Sequence, residues 1–213
     1  MEIEINESML DGLRLQIMNE MSQKRARHSL EVEKMIERLA ELYVPEKKQM
    51  LRAAALLHDV TKEYKTEVQL QLCEQYGIEL DDTAVYAPKT LHARTAAALI
   101  PENYPEFSSE ELVSCVRWHT TGHAGMTLTE KLLYLADYID MSRTFFDCVK
   151  LREYFFDARP ELMTEEERLI HLDNTIMLSF DMTIRGLLDD NTPISEDSIR
   201  ARNELAVKRL KAR

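Results

Sequence analysis

Residues 50–57, MLRAAALL, are apolar around nearly every side of a helix, and such a segment is stable only where other elements enclose it. A chain of 213 residues with 45% hydrophobic content supplies enough material to do so. Only five glycines and six prolines punctuate the sequence, too few for many short strands. The expectation is therefore an all-α protein, and with no Gly/Ser/Pro-rich linker anywhere, residues 1–213 read as one domain. Pro45 opens the helix that carries this run, and His58 and Asp59 close it with two polar side chains where apolar ones would continue.

The remaining elements follow from periodicity and caps. From about residue 9 to 43 the pattern is helical; His28, Val32, Met35, Ile36, Leu39, Leu42 and Tyr43 form one stripe, which puts His28 on the apolar face. Residues 66–76 give a short helix ended by Gly77, and 78–90, IELDDTAVYAPKT, read as loop. His92 opens a helix, HARTAAALI, that stops at Pro101. Ser108 or Ser109 caps the next, EELVSCVRWH. Thr127 with Glu130 makes a capping box for LTEKLLYLADYIDM. Two helices follow, roughly 164–189 and 196–211.

Charge and cysteine usage narrow the function. A net charge of −11 argues against sequence-independent nucleic-acid binding or adhesion to anionic lipid, both of which need a broad positive field. The longest wholly apolar run, residues 53–57, is too short to span a bilayer, and the acidic start MEIEINESMLDG lacks the pattern of a signal peptide. A cytoplasmic protein is expected. Cys73, Cys115 and Cys148 are odd in number and never in C-x-x-C spacing, as reduced thiols used for packing would be.

Five helical segments each deliver a metal-capable side chain at an end or on an inner face: His28, His58 with Asp59, His92, His119 and Asp137. Asp137 lies in LLYLADYI, where an ionised carboxylate is costly unless a cation compensates it; Arg117 and Lys131 are the side-chain candidates for that role. Mixed imidazole and carboxylate donors suit iron, manganese, zinc or cobalt and poorly match calcium or an all-oxygen magnesium site. Asp59 could bridge two ions. His123 and His171 stay outside this set, His171 as a surface or boundary residue in the polar EEERLIHLDN. Lys24, Arg25 and Arg27 precede His28, Lys62 lies one turn beyond His58, and the loop Thr120–Gly125 offers hydroxyls and backbone N–H groups for phosphate oxygens.

The order His28, His58-Asp59, Asp137 resembles the H…HD…D signature of the HD-domain metal-dependent phosphohydrolases, an all-helical superfamily. RARHSLEV, AALLHDVTKE, the His92 segment, RWHTTGHAGMTLTEKLLYLADYID and SIRARNEL are similar, in order and spacing, to the bacterial HD-type symmetrical diadenosine tetraphosphate hydrolases over roughly residues 20–210. His123 and the MSR in place of that family's usual Pro-Gly are departures. The resemblance implies an HD-domain helical bundle in which His28, His58, Asp59 and Asp137 hold a divalent transition metal, iron first among the candidates. His92 and His119 would either ligate a second ion or bind phosphates. The activity implied is symmetric cleavage of diadenosine tetraphosphate to two ADP by a metal-bound hydroxide. Asp59, Lys62 and His119 are then the catalytic candidates, with Lys62 or His119 protonating the leaving phosphate. Arg25, Lys62, His92, His119, Thr120, Gly122, Arg143, Arg202 and Asn203 are the substrate-binding candidates. The alternatives are another HD-type nucleotide phosphohydrolase or phosphodiesterase, and a helical nucleotide-binding module without turnover. The partner expected is a nucleotide substrate, and a homodimer is the assembly to test.

Overall fold

The computed structural model describes residues 4–211. Its elements are α1 (Glu7–Glu20), α2 (Gln23–Tyr43), α3 (Lys48–Leu57), α4 (Thr66–Gln75), α5 (Asp82–Tyr86), α6 (Leu91–Asn103), α7 (Glu110–Trp118), α8 (Leu128–Ile139), α9 (Phe146–Asp157), α10 (Glu165–Asp189) and α11 (Glu196–Lys211). No strand occurs among the described residues. As the run at 50–57 demands, α3 is the centre: Leu51 and residues 53–57 are fully buried, and α1, α2, α7 and α8 pack around it. Three consecutive alanines, Ala53, Ala54 and Ala55, carry no bulk beyond Cβ, so neighbouring helices can approach the α3 backbone on several sides. Among the described residues, no helix is long and apolar enough to cross a membrane.

Several boundaries differ from the sequence expectation. The single helix expected over 9–43 is two, because Ser22 breaks it: its hydroxyl accepts the Arg25 N–H to start α2, while its own N–H and O–H donate to Glu63, 41 residues away. Residues 78–90 are not all loop, since the Asp81 carboxylate accepts the Ala84 N–H at 2.7 Å and nucleates α5. Helix α6 runs past Pro101 to Asn103; a proline in a last turn loses one internal hydrogen bond without ending the helix. The sequence pattern missed α9 altogether. Its buried positions, Cys148, Leu151 and Phe155, are helically spaced, but exposed Phe146 and Tyr154 blur the stripe.

The capping box expected at α8 forms, and α10 has one that the sequence reading did not name. Thr127 and Glu130 exchange hydrogen bonds at the start of α8, and Thr164 and Glu167 do the same for α10. Ser109, not Ser108, caps α7. All three cysteines are free and buried. His171, expected as a surface or boundary residue, is buried on α10, its Nε2 3.0 Å from the Phe155 carbonyl and its ring stacked on Phe155. A segment that reads as polar in sequence is amphipathic once α9 covers one side of it.

Candidate metal centre

Helix ends bring the ligand candidates together. His58 is the C-cap of α3 and His119 the C-cap of α7, both in helical backbone conformation. A helix C-terminus leaves carbonyls without internal partners, and each ring uses one. His58 Nδ1 lies 2.6 Å from the Ala55 carbonyl and His119 Nδ1 2.7 Å from that of Val116. His92 repeats the arrangement at the start of α6, with Nδ1 2.8 Å from the Lys89 carbonyl. A carbonyl can only accept, so in all three rings Nδ1 carries a proton, and when the ring is neutral its Nε2 lone pair faces the interior.

These lone pairs converge on two carboxylates. His58 Nε2 is buried without a hydrogen-bond partner, 3.4 Å from Asp59 Oδ2 and 3.5 Å from Asp137 Oδ1. His28, from α2, places Nε2 2.9 Å from Asp137 Oδ1 and 3.7 Å from Asp59 Oδ2. The other oxygen of Asp59, Oδ1, faces His92 Nε2 at 3.2 Å and His119 Nε2 at 3.7 Å. Asp59 thus turns one oxygen toward the His28 and His58 pair and the other toward the His92 and His119 pair. The two latter Nε2 atoms are only 3.1 Å apart, an approach of lone pairs that repels unless something cationic or a donor lies between. The Thr120 hydroxyl, 3.0 and 2.9 Å from them, can give its one proton to only one of the two, and the Lys62 ammonium reaches His92 Nε2 at 3.1 Å. Two groups of potential ligand atoms, His28, His58 with Asp137 and His58, Asp59 with His119, each lie within 4.8 Å of one another. An orphaned buried lone pair, paired carboxylates and facing imidazoles are a donor set that fits a divalent transition metal.

The cation-free electrostatics lead to the same conclusion. Burial lowers the basicity of His58, yet the carboxylates of Asp59 and Asp137 outweigh it and raise its pKa to about 10. Asp59 and Asp137 stay well below the usual carboxylate range despite burial, held there chiefly by the His58 charge and by Arg143, respectively. Burial pushes His92 down to about 4 and lowers His119, and it also lowers Lys62. Positive charge gathers at the carboxylate side of the centre, supplied by Arg25, by Arg143 and, without an ion, by a proton on His58.

Around this core, Arg25 binds Asp59 Oδ2 at 2.5 Å, Arg143 binds Asp137 Oδ1 at 2.5 Å, and Lys62 Nζ lies 3.1 Å from His92 Nε2. Asp137 pairs with neither of its candidate partners from sequence: Arg117 lies over the Trp118 ring and Lys131 bridges to Asp173. The loop Thr120–Gly125 reaches the centre only through the Thr120 hydroxyl. The Gly122 N–H is taken by the Trp118 carbonyl and the Gly125 N–H by Glu204, so neither is free to cradle phosphate. Gly122 is a structural requirement instead, at φ +59° with a Cβ that would lie 2.7 Å from the Phe180 ring. Arg202 bonds Asp181 and Asn203, and neither Arg202 nor Asn203 bonds or pairs with a member of the centre.

The sequence reading missed Asp140. Fully buried, it lies 3.5 Å from His28 Nδ1 and 3.3 Å from Arg143 Nε, and it accepts the N–H and hydroxyl of Ser142. The Asp-x-Ser spacing, which favours an aspartate accepting from the backbone two residues on, was the available signal.

Comparison with known proteins decides the family: the HD domain model matches residues 25–142, more than half the chain. The chain belongs to the HD-domain family. That stretch takes in His28, the His58-Asp59 pair and Asp137 together. A symmetrical bis(5'-nucleosyl)-tetraphosphatase of Staphylococcus aureus is 35% identical over 57% of this chain and 61% of its own length. Proteins of the same name from Halalkalibacterium halodurans and Bacillus subtilis are 29% and 27% identical, over 87% and 89% of this chain and 90% and 93% of theirs. A crystal structure from Clostridium acetobutylicum, described as a predicted HD superfamily hydrolase involved in NAD metabolism, superposes with a TM-score of 0.79. It is 30% identical, over 93% of this chain and 97% of that one. The HD-domain assignment and the all-helical fold therefore agree with the sequence expectation, and the chain is a hydrolase by family.

Proposed function

We propose that this HD-domain chain hydrolyses dinucleoside polyphosphates, cleaving diadenosine tetraphosphate symmetrically into two ADP. The observation that carries the reading is the divided carboxylate of Asp59, one oxygen toward His28 and His58, the other toward His92 and His119, beneath a mouth lined by arginines. The three relatives named for that activity support the substrate class.

His28, His58, Asp59 and Asp137 would hold the first ion, iron ahead of manganese, cobalt and zinc, and His92 and His119 a second shared through Asp59. Bound there, a divalent metal supplies an activated water near neutral pH and a Lewis acid for the phosphoryl oxygen. The protein's part is to position and to move protons. Arg25 and Arg143 sit where the polyphosphate would arrive and stabilise charge on non-bridging oxygens. Lys62, with its ammonium made more acidic by burial, protonates the departing nucleoside diphosphate as the bridging P–O bond breaks. His119 is unsuited to that step, because its one N–H is committed to the Val116 carbonyl. Thr120 contacts the same imidazoles and can orient an attacking water or a phosphate oxygen.

The test is anaerobic incubation with diadenosine tetraphosphate and added iron(II) or manganese(II), with products resolved by ion-exchange chromatography. ADP alone supports the reading, and Asp59→Ala should then lower turnover by more than about a hundredfold, the order expected when a metal site is damaged. AMP with ATP keeps the centre but rejects the symmetric register. No cleavage with either metal rejects the substrate and moves weight to another HD-type nucleotide phosphohydrolase, the reading that the NAD-metabolism description of the Clostridium acetobutylicum structure favours.

A further inference from the structure

The metal centre opens through His28 into a cleft of about 890 Å³ whose wall is formed by the start of α2 and by residues 141–145 between α8 and α9. The α2 wall is basic. Arg25 is turned inward to Asp59, while Lys24 and Arg27 are exposed, and neither has an ion-pair partner among the described residues of this acidic chain.

The opposite wall combines a fixed backbone with exposed apolar side chains. Arg152 ties the segment down from beneath, donating to the carbonyls of Ile139, Asp140 and Arg143 at 2.7–2.8 Å. Asp140 holds Ser142, and Arg143 donates to the Asp137 carbonyl at 2.5 Å. A loop so anchored has little freedom, yet Met141 and Phe145 remain 58% and 72% exposed while lining the cleft. Neighbouring Phe146 is differently placed, with Lys150 near its ring face, whereas Phe145 makes no ring contact among the described residues. Large apolar side chains on a rigid loop, left in water beside a cationic wall, are poor for stability and suited to a flat aromatic ligand with a phosphate tail.

We infer that Phe145, flanked by Met141, is the surface on which the nucleobase of one nucleoside diphosphate half of the substrate stacks, while Lys24 and Arg27 hold that half's phosphates. The inference rests on the polyphosphate-hydrolase reading above and adds the residue that makes the cleft prefer a nucleotide over a bare polyphosphate. Stacking tolerates any base, because every base has a π-face, so this surface favours nucleotides as a class and discriminates weakly among them.

The experiment is calorimetric titration of the manganese(II)-loaded protein with ADP and, separately, with inorganic pyrophosphate, for the native chain and for Phe145→Ala, Phe145→Leu and Phe145→Trp. Phe145→Ala and Phe145→Leu should weaken ADP binding by about tenfold or more, the scale of a lost base-stacking contact. Pyrophosphate affinity should change by less than about twofold on the same grounds, and Phe145→Trp should restore ADP binding. An exposed side chain carries no folding load, so unchanged melting temperatures should accompany these effects. Equal ADP affinity in Phe145→Ala and the native chain would overturn the inference, as would an equal loss for pyrophosphate. If the native chain cleaves diadenosine tetraphosphate and Phe145→Ala binds ADP undiminished, only the stacking surface is rejected. If the native chain binds neither probe, the polyphosphate reading falls and the inference falls with it.

Discussion

At the residue scale, the centre depends on what stands behind each candidate ligand. His58, His92 and His119 are oriented by carbonyls three residues upstream, so their own helix ends or turns fix the tautomer. His28 has no such local partner; its Nδ1 looks to Ser142 at 3.2 Å and Asp140 at 3.5 Å, more than a hundred residues away. Oxygen partners behind a ligating imidazole typically alter metal affinity by about 10–100-fold. Asp140→Asn should therefore weaken manganese(II) binding by that order and do so more than it lowers the melting temperature. A variant that melts earlier but binds metal normally would show Asp140 to be a packing residue alone.

At the element scale, caps and their carboxylates determine where helices begin. Glu130 serves α8 twice, closing the capping box through the Thr127 N–H at 2.7 Å and reaching across to Ser114 on α7 at 2.5 Å, with His123 3.1 Å away. Burial alone would raise its pKa; these donors outweigh burial and hold it below the usual range. Because the folded-state value is the lower one, Glu130 contributes stability above the unfolded-state pKa of about 4.3 and loses it as pH falls toward the folded value. Glu130→Gln should thus melt earlier than the native chain at pH 7, and the gap should shrink steadily below about pH 4.5. A gap independent of pH, measured by thermal melts from pH 3 to 7, would remove the ionised carboxylate from the account.

At the scale of the whole molecule, candidate ligands from α2, the α3 end, α6, the α7 end and α8 are gathered in one centre. An ion held there binds the folded chain and not the unfolded one. At about 100 times its dissociation constant it adds roughly 2.7 kcal/mol of stability by mass action. Manganese(II) should raise the melting temperature of the native chain and leave Asp59→Ala almost unmoved. The fully buried Leu57, next to His58, separates the two contributions: Leu57→Ala should cost about 2–5 kcal/mol with or without metal, as a core truncation does. If chelation lowers neither stability nor metal content, the clustered donors are a structural polar network.

The sequence by itself determined the helical class, the central position of α3, the caps of α7 and α8, and the candidate ligands His28, His58, Asp59, His92, His119 and Asp137, because periodicity, a capping box and a histidine at a helix end are properties of one or two turns of chain. Only the tertiary structure decided which oxygen of Asp59 faces which imidazole, that Arg143 and not Arg117 or Lys131 answers Asp137, and that Ser22 breaks a long helix to meet Glu63. The same holds for His171, buried only because α9 lies against it, and for Met141 and Phe145, which line a cleft only because Arg152 pins their loop there. Each of these outcomes joins side chains to partners outside their own stretch of chain, and a long-range contact leaves no periodic trace in the residues that make it.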